Sequence, residues 1–129
     1  MPTVALNEQN FEETVTKNPL VFVDFWAAWC GPCRSFAPVF ERASDAHPDV
    51  VFGKVDTEAA QGLAAAFGIR SIPTLMILKE GVVVFSQPGA LPAPALEDLV
   101  SQAVALDMKE VHAKIAEEKK KREATPTEG

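Results

Sequence analysis

Only two cysteines occur in 129 residues, too few for the disulfide framework that braces many small secreted domains. Histidine is as scarce. A zinc site needs about four ligands, and beyond the cysteines only His47 and His112 remain as soft donors. Long apolar runs are missing too: the most apolar early stretch, Leu20 to Trp29, is too short for a bilayer and carries Asp24. Basic residues are outnumbered, 12 against 18 acidic, for a net charge of −6. That balance argues against nucleic acid or an anionic membrane as partner. Met1 to Lys17 is polar and acidic, with no basic start and no apolar block. No secretory leader is expected, and the expected location is cytoplasmic.

What is present suits one folded domain. Apolar residues make up 47% of the chain, and its length can bury a core of its own. The charge is uneven: residues 1–106 hold 12 acidic and 6 basic groups, whereas residues 107–129 hold 6 of each. The reading is a domain over 1–106 followed by a charged extension over 107–129.

Periodicity places the elements. Asn7 can cap a first helix, with Glu8 at its positive end and Phe11 and Val15 on one face. Leu20–Ala27 is apolar on both faces apart from Asp24, as in a central strand covered on both sides. A helix is expected from about Pro32 to Ala46 with Pro38 inside it. Val50–Asp56 reads as a strand and Glu58–Phe67 as a short helix. Thr74–Lys79 and Val82–Gln87 read as strands joined by a tight Glu80-Gly81 turn, and a helix follows from about Pro92. Alternating strands and helices followed by a hairpin predict an α/β fold, a mixed sheet with helices on both faces.

Both cysteines stand in one phrase, Trp29-Cys30-Gly31-Pro32-Cys33. Thiols three residues apart close only a small ring, which does little to brace a fold. A Cys-x-x-Cys beside a strand–helix pattern instead suits redox exchange. The thiolate is the nucleophile in that chemistry. Cys30 falls at the start of the Pro32–Ala46 helix, where free N–H groups and the helix dipole favour negative charge. Pro32 suits an early helical position because the N–H it lacks would be unpaired there. Cys30 is therefore expected to attack a partner's disulfide. Cys33, one turn further in and expected to be less exposed, then displaces the mixed disulfide. A zinc site lacks ligands, and a pair of inert buried cysteines fits poorly with Trp29 and Gly31-Pro32, which suit an exposed turn.

Asp24 is the second informative residue. A lone carboxylate in an apolar strand is costly to ionise, so desolvation should raise its pKa. It lies six residues before Cys30 and can accept a proton for Cys33 in the resolving step. The plainer reading is a buried ion pair with Lys54 on the neighbouring strand, and the two are compatible. In Ser71-Ile72-Pro73-Thr74, the proline is either an ordinary strand-edge device or a cis-proline that frees backbone groups to pair with a substrate strand.

Asp24-Phe25-Trp26-Ala27 with Trp29-Cys30-Gly31-Pro32-Cys33 resembles the active-site phrase of the thioredoxin family. Lys54-Val55-Asp56, Phe67-Gly68-Ile69-Arg70-Ser71-Ile72-Pro73-Thr74 and Pro88-Gly89-Ala90 fall where that family has its other marks. The likeness covers roughly residues 3–106. It implies a thioredoxin fold of five strands and four helices, with a cis peptide before Pro73. It implies reduction of oxidised protein substrates, and re-reduction by a thioredoxin reductase at the expense of NADPH, with no bound cofactor or metal. Cys30, Cys33, Asp24 and Lys54 become the expected catalytic group. Trp29, Gly31, Pro32, Ile72, Pro73, Gly89 and Ala90 become the expected peptide-docking surface. Ser35-Phe36-Ala37-Pro38 and Arg70-Ser71-Ile72-Pro73-Thr74 look most like the thioredoxin 2 branch, whose N-terminal zinc-binding segment with further cysteines is not among these residues. Two departures stand out. Pro88 occupies a docking-loop position where the family often has a free N–H, and Ala28 places no charge beside Trp29.

Three functions compete. A general reductase of protein disulfides leads. An oxidase or isomerase is disfavoured because Gly31-Pro32 puts no histidine or other cation between the cysteines. A binding module that grips partners without turnover is the alternative from another class. In the extension, Val104, Met108, Val111 and Ile115 recur at helical spacing, and Glu110–Lys114, Glu117–Lys121 and Glu118–Arg122 are favourable pairs. The last helix is expected to continue to about Lys121 and fray through Thr125-Pro126-Thr127. A monomer is expected. The apolar stripe of the extension is left open: it packs on its own domain, on a second copy or on a partner, or it stays solvated.

Overall fold

The computed structural model describes residues 3–124. Its sheet has five strands: β1 (Thr3–Leu6), β2 (Leu20–Trp26), β3 (Val51–Asp56), β4 (Thr74–Lys79) and β5 (Val82–Pro88). Their order is β1-β3-β2-β4-β5. The first three run parallel to one another, and β4 and β5 are antiparallel to their neighbours. The helices are α1 (Phe11–Lys17), α2 (Gly31–Ala46), α3 (Gln61–Ala66), α4 (Ala93–Ala105) and α5 (Met108–Ala124).

The strands in the middle read as apolar on both faces because both faces are covered. On one side, Leu20 and Phe22 of β2 pack with Phe52, Leu75 and Ile77 under Phe36, Phe40 and Ala43 of α2 and Leu96, Val100 and Ala103 of α4. On the other, Val21, Val23 and Phe25 pack with Leu6, Phe11, Val55, Met76 and Leu78. Successive strand side chains alternate faces. Asp24 and Trp26 therefore continue the row of Leu20 and Phe22, beneath α2. At Gly53 the backbone passes so close to Leu6 that a Cβ would clash with its side chain.

Two elements near the N-terminus differ from the sequence expectation. Asn7 does not begin a helix directly; its side-chain oxygen accepts from the N–H groups of Gln9 at 2.9 Å and Asn10 at 3.0 Å, building a turn that delivers the chain into α1. Strand β1 has no counterpart in the residue pattern, because a four-residue edge strand with one buried side chain has almost no period to read.

The last helix is also broken where continuity is expected. α4 ends at Ala105, and α5 begins at Met108. Lys79 at the end of β4 meets the chain at this break. Its ammonium donates to the carbonyls of Ala103 at 2.6 Å, Val104 at 3.0 Å and Leu106 at 2.9 Å, satisfying orphan acceptors of the last turn. Asp107 then starts α5 by accepting from the N–H of Lys109 at 2.9 Å. Met108 is buried, and His112 meets Glu80 of the β4–β5 turn at 2.7 Å. The helix runs beyond Lys121, and the fraying expected at Thr125–Thr127 lies outside the described residues. In the β4–β5 turn, Glu80 and Gly81 both take positive φ, 51° and 78°, as a two-residue hairpin turn requires.

Candidate active site

β2 delivers the chain to the top of the sheet, and α2 starts five residues later. Cys30 is the N-cap of α2, with extended backbone, and its sulfur accepts the backbone N–H of Cys33 at 3.2 Å. Pro32 stands in the first turn of the helix, where no intrahelical donor is needed. The two cysteines form a disulfide with their Cα atoms 5.2 Å apart. Around them pack Ala27, Trp26 and Ile72.

Burial does not separate the two sulfurs as expected: Cys30 is 4% exposed and Cys33 3%. Their difference lies in position on the helix. Cys30 occupies the cap and Cys33 the first turn behind it. Trp29, by contrast, is 67% exposed, so the loop presents a broad apolar plate beside the disulfide.

The Ile72–Pro73 peptide is cis. The segment lies against the cysteines, with the Ile72 carbonyl oxygen 3.7 Å from the sulfur of Cys30. The Gly89 N–H donates to the Pro73 carbonyl at 2.7 Å, and Thr74 pairs with Pro88 in the β4–β5 ladder. The loop carrying Gly89 and Ala90 is thus tied to the loop carrying Ile72 and Pro73. Gly89 takes φ 106°, a conformation that favours glycine.

Asp24 is fully buried, and burial pushes its carboxyl up to about 7, while the positive charge of Lys54 pulls in the opposite direction. Neither carboxylate oxygen has a hydrogen-bond partner among the described residues. Lys54 stands directly opposite Asp24 in the β2–β3 ladder. The expected ion pair between them is not formed: the Lys54 ammonium lies over the Trp26 ring, 5.2 Å from its centroid. Trp26 is a site residue that the sequence reading misses. It sits two positions after Asp24 on the same strand face, and that spacing is the signal that could have found it. Its ring carries the Lys54 ammonium, and Trp26 also packs against the cysteine cluster.

Among the described residues, no group of histidine, cysteine, aspartate and glutamate could hold a metal ion. Among them, too, no helix is long and apolar enough to cross a membrane.

Comparison with known proteins agrees with this geometry. The sequence model of the family described as Thioredoxin matches residues 2–102. The chain belongs to the thioredoxin family. It is 61% identical over 116 residues to a protein of Streptomyces coelicolor named "Putative thioredoxin 2", covering 90% of this chain and 87% of that one. It is 41% identical over 101 residues to a thioredoxin of Haemophilus influenzae, covering 77% and 94%. Among solved structures, a mutant thioredoxin from Halobacterium salinarum superposes with a TM-score of 0.76 at 31% identity, covering 81% of this chain and 93% of that one. The fold is the thioredoxin fold. A thioredoxin with a Cys30–Cys33 disulfide is a thiol–disulfide oxidoreductase acting on protein disulfides.

Proposed function

We propose that this thioredoxin reduces protein disulfides with Cys30 as the attacking thiol and Cys33 as the resolving one. The observation that carries the assignment is the place of Cys30 as N-cap of α2, its sulfur held by the Cys33 N–H at 3.2 Å. A thiolate there is stabilised by that hydrogen bond and by the positive end of the helix, an effect for which thioredoxin itself is a familiar illustration. The Cys30 thiolate attacks one sulfur of the partner's disulfide, forms a mixed disulfide and displaces the other sulfur as a thiolate. The Cys33 thiolate then attacks the Cys30 sulfur. This closes the Cys30–Cys33 disulfide and releases the partner with both of its sulfurs reduced. Two electrons pass from the pair to the partner.

Asp24 accepts the Cys33 proton before that second step, through a water. A carboxyl with a pKa near 7 can both take and release a proton at neutral pH. Lys54 keeps that pKa from rising further. The substrate chain docks as an extended strand over Trp29, Gly31, Pro32, Ile72, Pro73, Gly89 and Ala90, pairing with backbone at the cis-proline loop. A thioredoxin reductase restores the dithiol with electrons from NADPH, and the cytoplasm supplies the reducing setting.

Residues 1–106 form the catalytic domain, and residues 107–129 form an extension that the chemistry does not need. The protein acts as a monomer. The exposed Ile115, at 44%, is the point through which the extension would self-associate. An NADPH-coupled assay with a thioredoxin reductase and a disulfide-bonded protein tests the reading. Turnover is expected for the full chain and for residues 1–106, and none for a variant with both cysteines changed to serine. Partner binding that survives in that variant without turnover in the wild type would instead favour a binding module.

A further inference from the structure

The docking surface described above contains no charged side chain, and Ala28 adds none. The domain beneath it is acidic, with 12 acidic and 6 basic groups over residues 1–106. Three of those cations are committed elsewhere: Lys17 pairs with Glu13, Lys54 lies over Trp26, and Lys79 holds the carbonyls at the end of α4. Arg42 lies eight residues beyond Arg34 on α2, about 12 Å along the helix. Arg70 is exposed three residues before Pro73.

Arg34 is placed differently. It is exposed in the first turns of α2, but its side chain folds back over the active-site loop. Nη1 donates to the Ala28 carbonyl at 2.9 Å. Nη2 would stand 3.9 Å from a Cβ added at Gly31. The guanidinium is therefore held between the residue before Trp29 and the residue after Cys30. Among the described residues no carboxylate forms an ion pair with it. A guanidinium has five N–H donors in a planar fork suited to carboxylates, and the Ala28 contact uses one nitrogen.

We propose that Arg34 is a specificity-determining residue that recognises a carboxylate close to the disulfide of the substrate polypeptide. The preferred substrates are protein disulfides flanked by aspartate or glutamate. The tether to Ala28 fixes the cation at the rim, so little side-chain freedom is lost when the carboxylate docks. This deepens the reductase reading and rests on it. On an acidic body, a fixed cation beside the reacting sulfurs also offsets the general repulsion that an acidic partner meets.

The test uses two synthetic disulfide-bonded peptides that differ only in aspartate or asparagine beside one cysteine. kcat/KM is measured for the wild type, Arg34→Gln, Arg34→Lys and Arg70→Gln, at low ionic strength and in high salt. Arg34→Gln should lose about fivefold on the acidic peptide, the upper range for one exposed ion pair, and stay within about twofold on the neutral one. Arg34→Lys should keep part of the preference, and high salt should shrink it in the wild type. Arg70→Gln should leave the preference in place. An equal fall on both peptides, as loss of loop bracing alone would cause, overturns the proposal. So does an unchanged ratio in Arg34→Gln, or a preference lost in Arg70→Gln instead. If the wild type reduces neither peptide, the reductase reading itself fails, which is a different result from a lost preference.

Discussion

Lys54 faces Asp24 across the β2–β3 ladder, yet its ammonium rests over the Trp26 ring at 5.2 Å instead of on the carboxylate. A direct contact would have made Asp24 a permanently ionised structural partner. Held at one remove, the cation lowers the pKa of Asp24 without cancelling the cost of burial, and the carboxyl titrates near neutrality.

That cost should appear as pH-dependent stability. The unfolded chain releases the Asp24 proton near 3.8, whereas the folded protein keeps it to about 7. Between those values the native state binds the extra proton, so this residue's contribution to stability falls as pH rises and levels off above 7. A shift of that size corresponds to roughly 4 kcal/mol as an upper bound. Asp24→Asn cannot ionise but buries an amide, so its net gain should be on the order of 1–3 kcal/mol at pH 8. The gain should vanish by pH 4. Urea unfolding of the oxidised proteins at pH 4, 6 and 8 measures it, and a pH-independent difference would show that ionisation of Asp24 is not the cause.

Lys54→Met removes the one charge that pulls the Asp24 pKa down. The carboxyl should then titrate at higher pH than in the wild type, followed by carboxyl-carbon NMR. If Asp24 serves Cys33, the resolving step should move to higher pH in parallel. An unmoved titration would mean that the cation over Trp26 is too well screened to be felt.

Lys79→Met should expose what holds the extension. Three carbonyls at the end of α4 lose a charged donor, a loss on the order of 2 kcal/mol in urea unfolding. Amide exchange should quicken from Val104 through His112, where α5 is anchored by Met108 and the Glu80 contact. Protection unchanged in that stretch would place the anchor elsewhere.

The central strand, the Cys30–Cys33 helix start, the hairpin and the buried Asp24 are legible in the sequence because each is written in local chemistry: unbroken apolar runs, a turn pair, a lone carboxylate. What escapes depends on distant partners. Lys79 meets the end of α4 from another strand, and the apolar spacing of Val104, Met108, Val111 and Ile115 does not reveal the break there. A local sign does exist, since Asp107 three residues before Glu110 is a helix-start arrangement. That Lys54 lies opposite Asp24 follows from neighbouring strands, but the choice of Trp26 over Asp24 by the lysine is a matter of side-chain placement. The cis peptide before Pro73 and the back-folded Arg34 are likewise tertiary, and the first is expected only through family resemblance.

The order of the two thiols, Cys30 attacking and Cys33 resolving, can be read by trapping. Cys33→Ser, incubated with a disulfide-bonded protein substrate, should accumulate a mixed disulfide that peptide mass spectrometry maps to Cys30 and that dithiothreitol releases. Cys30→Ser should accumulate little or none, because Cys33 lies inside the first turn of α2 and lacks the cap position that stabilises a thiolate at Cys30. Equal trapping by both variants, or trapping at Cys33 alone, would contradict the assignment.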